Sequence, residues 1–300
     1  VAVLAPALPA GQTDTGLGNQ AAPFLTLPVD ARTASMGQAG VASVSDVNAA
    51  SLNPAGLAGV QGEQFSLNQD FLAQGTDVEN AAAALGIFST AALGLSVSYL
   101  SVGTIDATTF TSAGVQSSGS FNPYYYSAGL TYAQAVLPCL DLGVSIKDVG
   151  ENIDNAAASA VAADLGLQYA TALPGLRVGA GLQNFGDTLA GYALPLLGRA
   201  GLSYQTPFLG HRNSLLFNGD VQVPSASLGQ TSYSAGAELR YGRFLSLRAG
   251  YQTGDYSGVT GLTGVTAGAG FGMNWWQVDY AWVPEGDLGL TDQFSFSAKF

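Results

Sequence analysis

Capacity for covalent chemistry in this chain is concentrated in two side chains, and neither has partners nearby. His211 is the single imidazole and Cys139 the single thiol in 300 residues. A hydrolase relay needs a nucleophile, a base and a group that orients the base. His211 lies in a short predicted turn beside Arg212 and has no such company. Cys139 follows Pro138 at another turn and reads as a packing residue; one cysteine closes no intramolecular disulfide. The same scarcity makes a histidine-based metal centre very hard to build, and no ligand spacing among the acidic residues supports a divalent ion. No catalysis, metal or cofactor is expected. Gly268-Ala269-Gly270-Phe271-Gly272 has the composition of a phosphate loop, but it sits in a predicted strand with no helix after it.

Charge itself is rationed. Nine basic and twenty-one acidic residues give a net charge of −12, and only 10% of residues are charged against 47% hydrophobic. Soluble domains usually carry roughly 25% charged residues. An acidic chain with pI near 4.1 lacks the basic face that a nucleic-acid partner requires. No run of about 18 apolar residues marks a membrane helix, and the 40 glycines lack a collagen period.

The elements that place the charges are strands. From about Phe65 onward apolar residues recur with period two, as in Leu140, Leu142, Val144 and Ile146 or Tyr233, Ala235, Ala237, Leu239 and Tyr241. About fourteen such segments of roughly ten residues occur, a length that spans a bilayer when tilted. They start near residues 63, 80, 91, 121, 138, 159, 174, 195, 213, 231, 243, 261, 273 and 291. Asp141, Lys147, Asp164, Arg177, Arg199, Glu238, Arg240, Arg248 and Asp279 all fall on the polar parity. An Arg or Lys on the lipid face at mid-membrane costs about 2–4 kcal/mol, so the apolar parity faces lipid and the charges face a lumen. There Asp141 can pair with Lys147, and Glu238 with Arg240. The expected fold is an all-β, transmembrane, antiparallel up-and-down β-barrel. Phe88, Leu100, Leu197, Leu216 and Trp275 share the polar parity. They would line a hydrophobic ligand site or pack against a plug.

Connections alternate between tight turns, such as Ser89-Thr90 and Pro174-Gly175, and longer acidic loops holding Asp77, Glu79, Asp106, Asp148, Glu151, Asp154, Asp187, Asp255, Glu285 and Asp287. Short periplasmic turns and longer outer loops are the barrel rule, so the acidic rim should face outward, solvating the loops. Tyr124, Tyr125, Tyr126, Trp275, Trp276 and Trp282 lie near strand ends, which suits a headgroup belt as well as plain strand propensity.

Residues 1–10 are apolar and small, and read as the tail of a signal peptide or as a disordered leader. Residues 11–30 read as a flexible N-terminus. Residues 31–60 lack alternation and form a candidate plug ahead of a barrel over 61–300. Ser45 or Asp46 could cap a short helix from Val47 to Leu52, stopped by Asn53-Pro54.

Within that segment, Arg32-Thr33-Ala34-Ser35-Met36-Gly37-Gln38-Ala39-Gly40, then Asp46, Ala49 and Asn53-Pro54-Ala55-Gly56-Leu57, resembles the N-terminal signature of the PorV/PorQ outer-membrane family, relatives of the FadL-type barrels. The resemblance continues through Leu142 to Lys147, Ala163 to Leu167, Leu182 to Gly186, and Val278 to Trp282. Gln38 stands where the family usually has a second glycine, and the chain is shorter than secretion-system members. The resemblance implies a plug built on Arg32, Met36, Gly37, Asp46, Asn53, Pro54 and Gly56 in a bacterial outer-membrane barrel. It also implies one of two roles: passage of hydrophobic small molecules, or handling of cargo and translocon proteins in type IX secretion. A mainly structural barrel is a third reading. Phe294, Phe296 and Phe300 look like the signal read by the outer-membrane assembly machinery. Expected partners are therefore outer-membrane lipid, that machinery, and a hydrophobic small molecule or secretion-system proteins.

Overall fold

The computed structural model describes residues 21–300 apart from 73, 74, 113, 209–211, 226–229, 243, 255 and 257. The expected leader and the first part of the N-terminal tail, together with His211 and Asp255, lie outside the described residues.

The strands are β1 (Glu63–Phe71), β2 (Asp77–Phe88), β3 (Ala91–Ser101), β4 (Ile105–Thr111), β5 (Gly114–Phe121), β6 (Tyr124–Leu137), β7 (Leu140–Ile153), β8 (Ala156–Ala170), β9 (Leu176–Gly186), β10 (Thr188–Leu189), β11 (Tyr192–Ala193), β12 (Leu197–Pro207), β13 (Ser214–Pro224), β14 (Ser232–Tyr241), β15 (Leu245–Gln252), β16 (Val265–Gly272), β17 (Trp276–Pro284) and β18 (Leu290–Lys299). Fourteen of them close an antiparallel barrel in chain order, with β1 hydrogen-bonded to both β2 and β18. The remaining four form two hairpins, β4–β5 and β10–β11, carried by loops at one end. Phe300 completes the seam by exchanging backbone hydrogen bonds with Glu63 at 2.8 and 3.3 Å.

The fold follows from the alternation. On β7, Leu142, Val144 and Ile146 stand exposed on the outer wall while Ser145, Lys147 and Val149 are buried inside. The same holds around the barrel, so the outer wall is a belt of Leu, Val, Phe and Tyr. In a closed barrel every strand finds partners on both edges, which satisfies the backbone within hydrocarbon.

Predicted strand starts fall within four residues of those observed. The connection holding Asp148, Glu151 and Asp154 differs from expectation. It is a tight Asp154-Asn155 turn, and Asp148 and Glu151 belong to β7 itself. Asp154 has φ 54°, the left-handed conformation that tight hairpin turns require. The wall is correspondingly tall here: β6, β7 and β8 have 14, 14 and 15 residues, against 8 in β15 and β16.

The N-terminal segment lies inside. Residues 21–30, expected to be flexible, are packed, with Ala21, Ala22, Phe24 and Asp30 buried. A 3-10 turn at Pro23–Thr26 leads to helix α1 (Ala31–Ala34), whose first turn is capped by the Asp30 carboxylate on the Thr33 N–H at 2.6 Å. Helix α2 spans Ala49–Leu52, shorter than the predicted Val47 start. Asp46 accepts the Asn48 N–H, so its turn precedes the helix rather than capping it. Pro54 ends α2 but opens a further 3-10 turn, Pro54–Gly59, because a proline at the first position of a helix loses no hydrogen bond.

Candidate functional site

The site is the lumen and the segment that fills it. Irregular backbone can sit inside a barrel only if its polar groups find partners. Here the polar face of the strands supplies them. Asp220 accepts the N–H groups of Gly40 and Val41 at 2.7 and 2.9 Å. Gln168 Nε2 donates to the carbonyls of Val41 and Val44, Gln183 Nε2 to those of Ser51 and Leu52, and Asn218 Nδ2 to that of Ala39. Ser295 and Thr266 accept from Ala31 N and Gly37 N. The Ser, Thr, Gln and Asn of the inner wall thus serve the plug backbone.

The wall also makes room. Gly143 on β7 faces Gly166 on β8, and the Asn53-Pro54-Ala55 backbone lies against that pair. Gly236 on β14 faces Gly250 on β15, and Met36-Gly37 lies against that one. A Cβ at any of these four positions would collide with plug atoms. These glycines were missed in the sequence reading. Their signal was present: glycines at polar parity in neighbouring strands. Apolar packing completes the seat, with Val44, Val47, Leu52, Leu57 and Val60 of the plug against Ala84, Ala92 and Ala133 of the wall.

The motif residues do the seating. Asn53, fully buried, donates to the carbonyls of Val41 and Leu167 and accepts from Ala55 N, joining two plug turns to β8. Met36 is buried, and Gly37, at φ 66°, presses on the Tyr251 backbone. Gly56 packs against Val44 and Ala49. Arg32 reaches the wall: its Nε lies 3.0 Å from Glu238 Oε2. Burial opposes the Arg32 charge, but the carboxylates of Glu238 and Asp46 outweigh it and hold the guanidinium above its usual range.

Of the predicted lumen charges, Glu238 is the hub. It pairs with Arg32, with Arg240 at 3.0 Å and with Arg248 at 2.7 Å, and Arg248 also holds Asp279 at 2.6 Å. The expected Asp141–Lys147 pair does not form. The two sit on one strand six residues apart, about 20 Å at a strand's rise. Asp141 instead meets Arg177 of β9 at 2.9 Å, and Lys147 meets Asp164 of β8 at 2.9 Å. Arg199 is buried, and it attracts the Asp220 carboxylate at longer range than a direct ion pair.

Two chambers flank the plug. At the short-turn end lies a polar vestibule of about 570 Å3, walled by Asp46, Arg177, Glu238, Arg240, Asp279 and Lys299 among others. At the loop end lies a pocket of about 290 Å3, lined by Leu27, Pro28, Leu72, Val259, Val283 and Leu288 together with Gln38, Tyr256 and Gln293. Among the described residues, no Lys or Arg lines it. It shares Leu27 and Leu72 with an apolar cluster of Phe24, Val78, Leu100, Val149, Leu189 and Leu194, in which Tyr125 packs on Phe24 at a ring separation of 6.0 Å.

The proposed apolar lining divides. Leu100, Leu197 and Leu216 are buried on the inner face. Leu100 joins the apolar cluster, whereas Leu216 borders the polar vestibule. Phe88 and Trp275 do not line the lumen, being 73% and 52% exposed. The pairing of β2 with β3 slips between Gly86 and Phe88, which ends the inward parity, and Trp275 precedes β17 in a turn where its ring contacts Trp276 and Phe300. The loop-end pocket draws on plug, loops and several strands, so parity alone could not have assembled it. Phe294 and Phe296 face outward beside the seam, packed on Phe71 and Phe65.

Asp30 makes the plug sensitive to pH. Burial, reinforced by the charge of Asp46, pushes its carboxyl up to about 6 against the hydrogen bonds from Thr33. A raised folded value means that its contribution to plug stability is complete below about pH 3.8 and is lost as pH rises through about 6. Asp30→Asn, which keeps the acceptor for Thr33 N, should flatten the pH dependence of hydrogen-exchange protection in Ala31–Gly59 over that window. An unchanged dependence would assign the effect to another group.

No family model matches the chain, and no curated protein matches it. Solved structures do share the fold. The CymD monoaromatic hydrocarbon channel superposes with a TM-score of 0.64 at 15% identity, covering 91% of this chain and 97% of that one. The toluene transporter TbuX of Ralstonia pickettii gives 0.62 at 15% identity, with 91% and 98% covered. A FadL homologue from Pseudomonas aeruginosa gives 0.54 at 13% identity, with 91% and 98% covered.

Proposed function

We propose that this chain is a bacterial outer-membrane channel for small, neutral hydrophobic molecules. Such molecules are captured at the loop end and released through the vestibule when the plug shifts. The loop-end pocket carries this reading: it is small, chiefly apolar, free of Lys and Arg among the described residues, and joined to the Phe24 cluster through Leu27 and Leu72. A fatty acid would want a cation for its carboxylate, and Glu285 at this pocket supplies the opposite charge. The hydrocarbon channel and toluene transporter with the same fold support the substrate class. The outward apolar belt supports a lipid setting, and the exposed Phe294 and Phe300 at the seam support recognition by the assembly machinery.

The test is binding by the detergent-purified chain. Toluene should displace a fluorescent hydrophobe while laurate does not, and Val283→Trp, which fills the pocket, should abolish displacement. Failure of toluene to bind, or binding indifferent to Val283→Trp, would end this reading. The secretion role implied by the PorV/PorQ resemblance rests on a motif that this fold uses to seat the plug. It would regain the lead if the chain co-purified with secretion cargo and bound no hydrophobe.

A further inference from the structure

We infer that the loop-end pocket is selective for a neutral hydrophobe bearing a hydroxyl group, such as a phenol or a compact alcohol, over the bare hydrocarbon. This deepens the transport reading and rests on it. Three glutamines line the pocket, Gln38 from the plug, Gln252 from β15 and Gln293 from β18, and two of them, Gln38 and Gln293, are set apart by their unpaired oxygens. The Oε1 of each is buried without a hydrogen-bond donor, and Gln293 is only 2% exposed. The hydroxyl groups of the lining, by contrast, are engaged within the protein. The Tyr256 hydroxyl donates to the Gln252 carbonyl, Thr291 Oγ1 lies 3.4 Å from Glu285 Oε1, and Thr266 Oγ1 accepts the Gly37 N–H. Two acceptors at the pocket are therefore left without a donor.

Backbone conformation adds a second observation. Gln38 has φ 65°, in the left-handed region that favours glycine, directly after Gly37 at φ 66°. A side chain held there against its backbone preference is typical of positions kept for a function. The last torsion of glutamine is soft, so either carboxamide can turn its oxygen toward a hydroxyl that enters. An O–H in that place satisfies a buried acceptor, and a methyl or C–H of the same size leaves it unpaired. With Glu285 at the lining and no Lys or Arg there among the described residues, a carboxylate is repelled. The favoured ligand is thus an uncharged donor on an apolar body.

A matched set tests this: toluene, 4-methylphenol and 4-methylbenzoate, measured by calorimetry against the purified full chain. The phenol should bind roughly tenfold to a hundredfold tighter than toluene, and the benzoate not at all. Gln293→Met and Gln38→Gly should each reduce the ratio of phenol to toluene affinity, with the β-sheet circular dichroism of the barrel showing that the variants are folded. Equal affinity for toluene and the phenol, or a preference that survives both substitutions, would overturn this inference and leave the transport reading standing. Absence of binding by every member would overturn both.

Discussion

Valine in place of Gly250 should turn a plugged barrel into an open one. Met36 and Gly37 lie directly on Gly250 and its cross-strand partner Gly236, and the atoms an added Cβ would meet are plug backbone, which cannot swing aside as a side chain would. Overpacking of this kind costs about 1–3 kcal/mol. The strand itself tolerates the change, since valine is a better strand former than glycine. The barrel should therefore persist while the plug leaves its seat. In planar bilayers the native chain should pass little ion current and Gly250→Val should conduct steadily, because a lumen of fourteen strands is too wide for wall side chains alone to fill. Gly219→Val is the control: a Cβ there meets nothing within 4 Å. If both variants conducted like the native chain, the plug would not be the element that closes the lumen.

Neutralising Glu238 should be nearly as damaging, by a different route. Its carboxylate serves Arg32, Arg240 and Arg248, leaving Asp279 as the other acid bonded within that cluster. Glu238→Gln removes the shared charge and leaves buried guanidinium groups facing one another, a loss of about 3–5 kcal/mol when one side of a buried pair is removed. Because Arg32 belongs to the plug, the first consequence should be faster hydrogen exchange across Ala31–Gly59. A second substitution, Arg32→Met, should recover part of the loss, as expected for residues that act as a unit. Independent, additive effects of the two substitutions would show that the ion pairs do not couple plug to wall.

Strand positions and the inward or outward sense of each side chain were legible in residue order alone, because alternation is a local property and a charge on the wrong face is too costly to tolerate. That is how Lys147, Asp164, Glu238 and Arg248 came to be placed inside. Who meets whom was not legible. Asp141 pairs with Arg177 two strands away, and Lys147 with Asp164 on the next strand, since partners in a barrel are set by register between strands. The seat for Met36 depends on two glycines facing each other across β14 and β15, and the loop-end pocket gathers plug, loop and strand residues far apart in the chain. Period and charge determined the barrel and its two faces. Only the closed tertiary structure could decide how the lumen is filled, because close packing and ion pairing depend on distances that residue order does not contain.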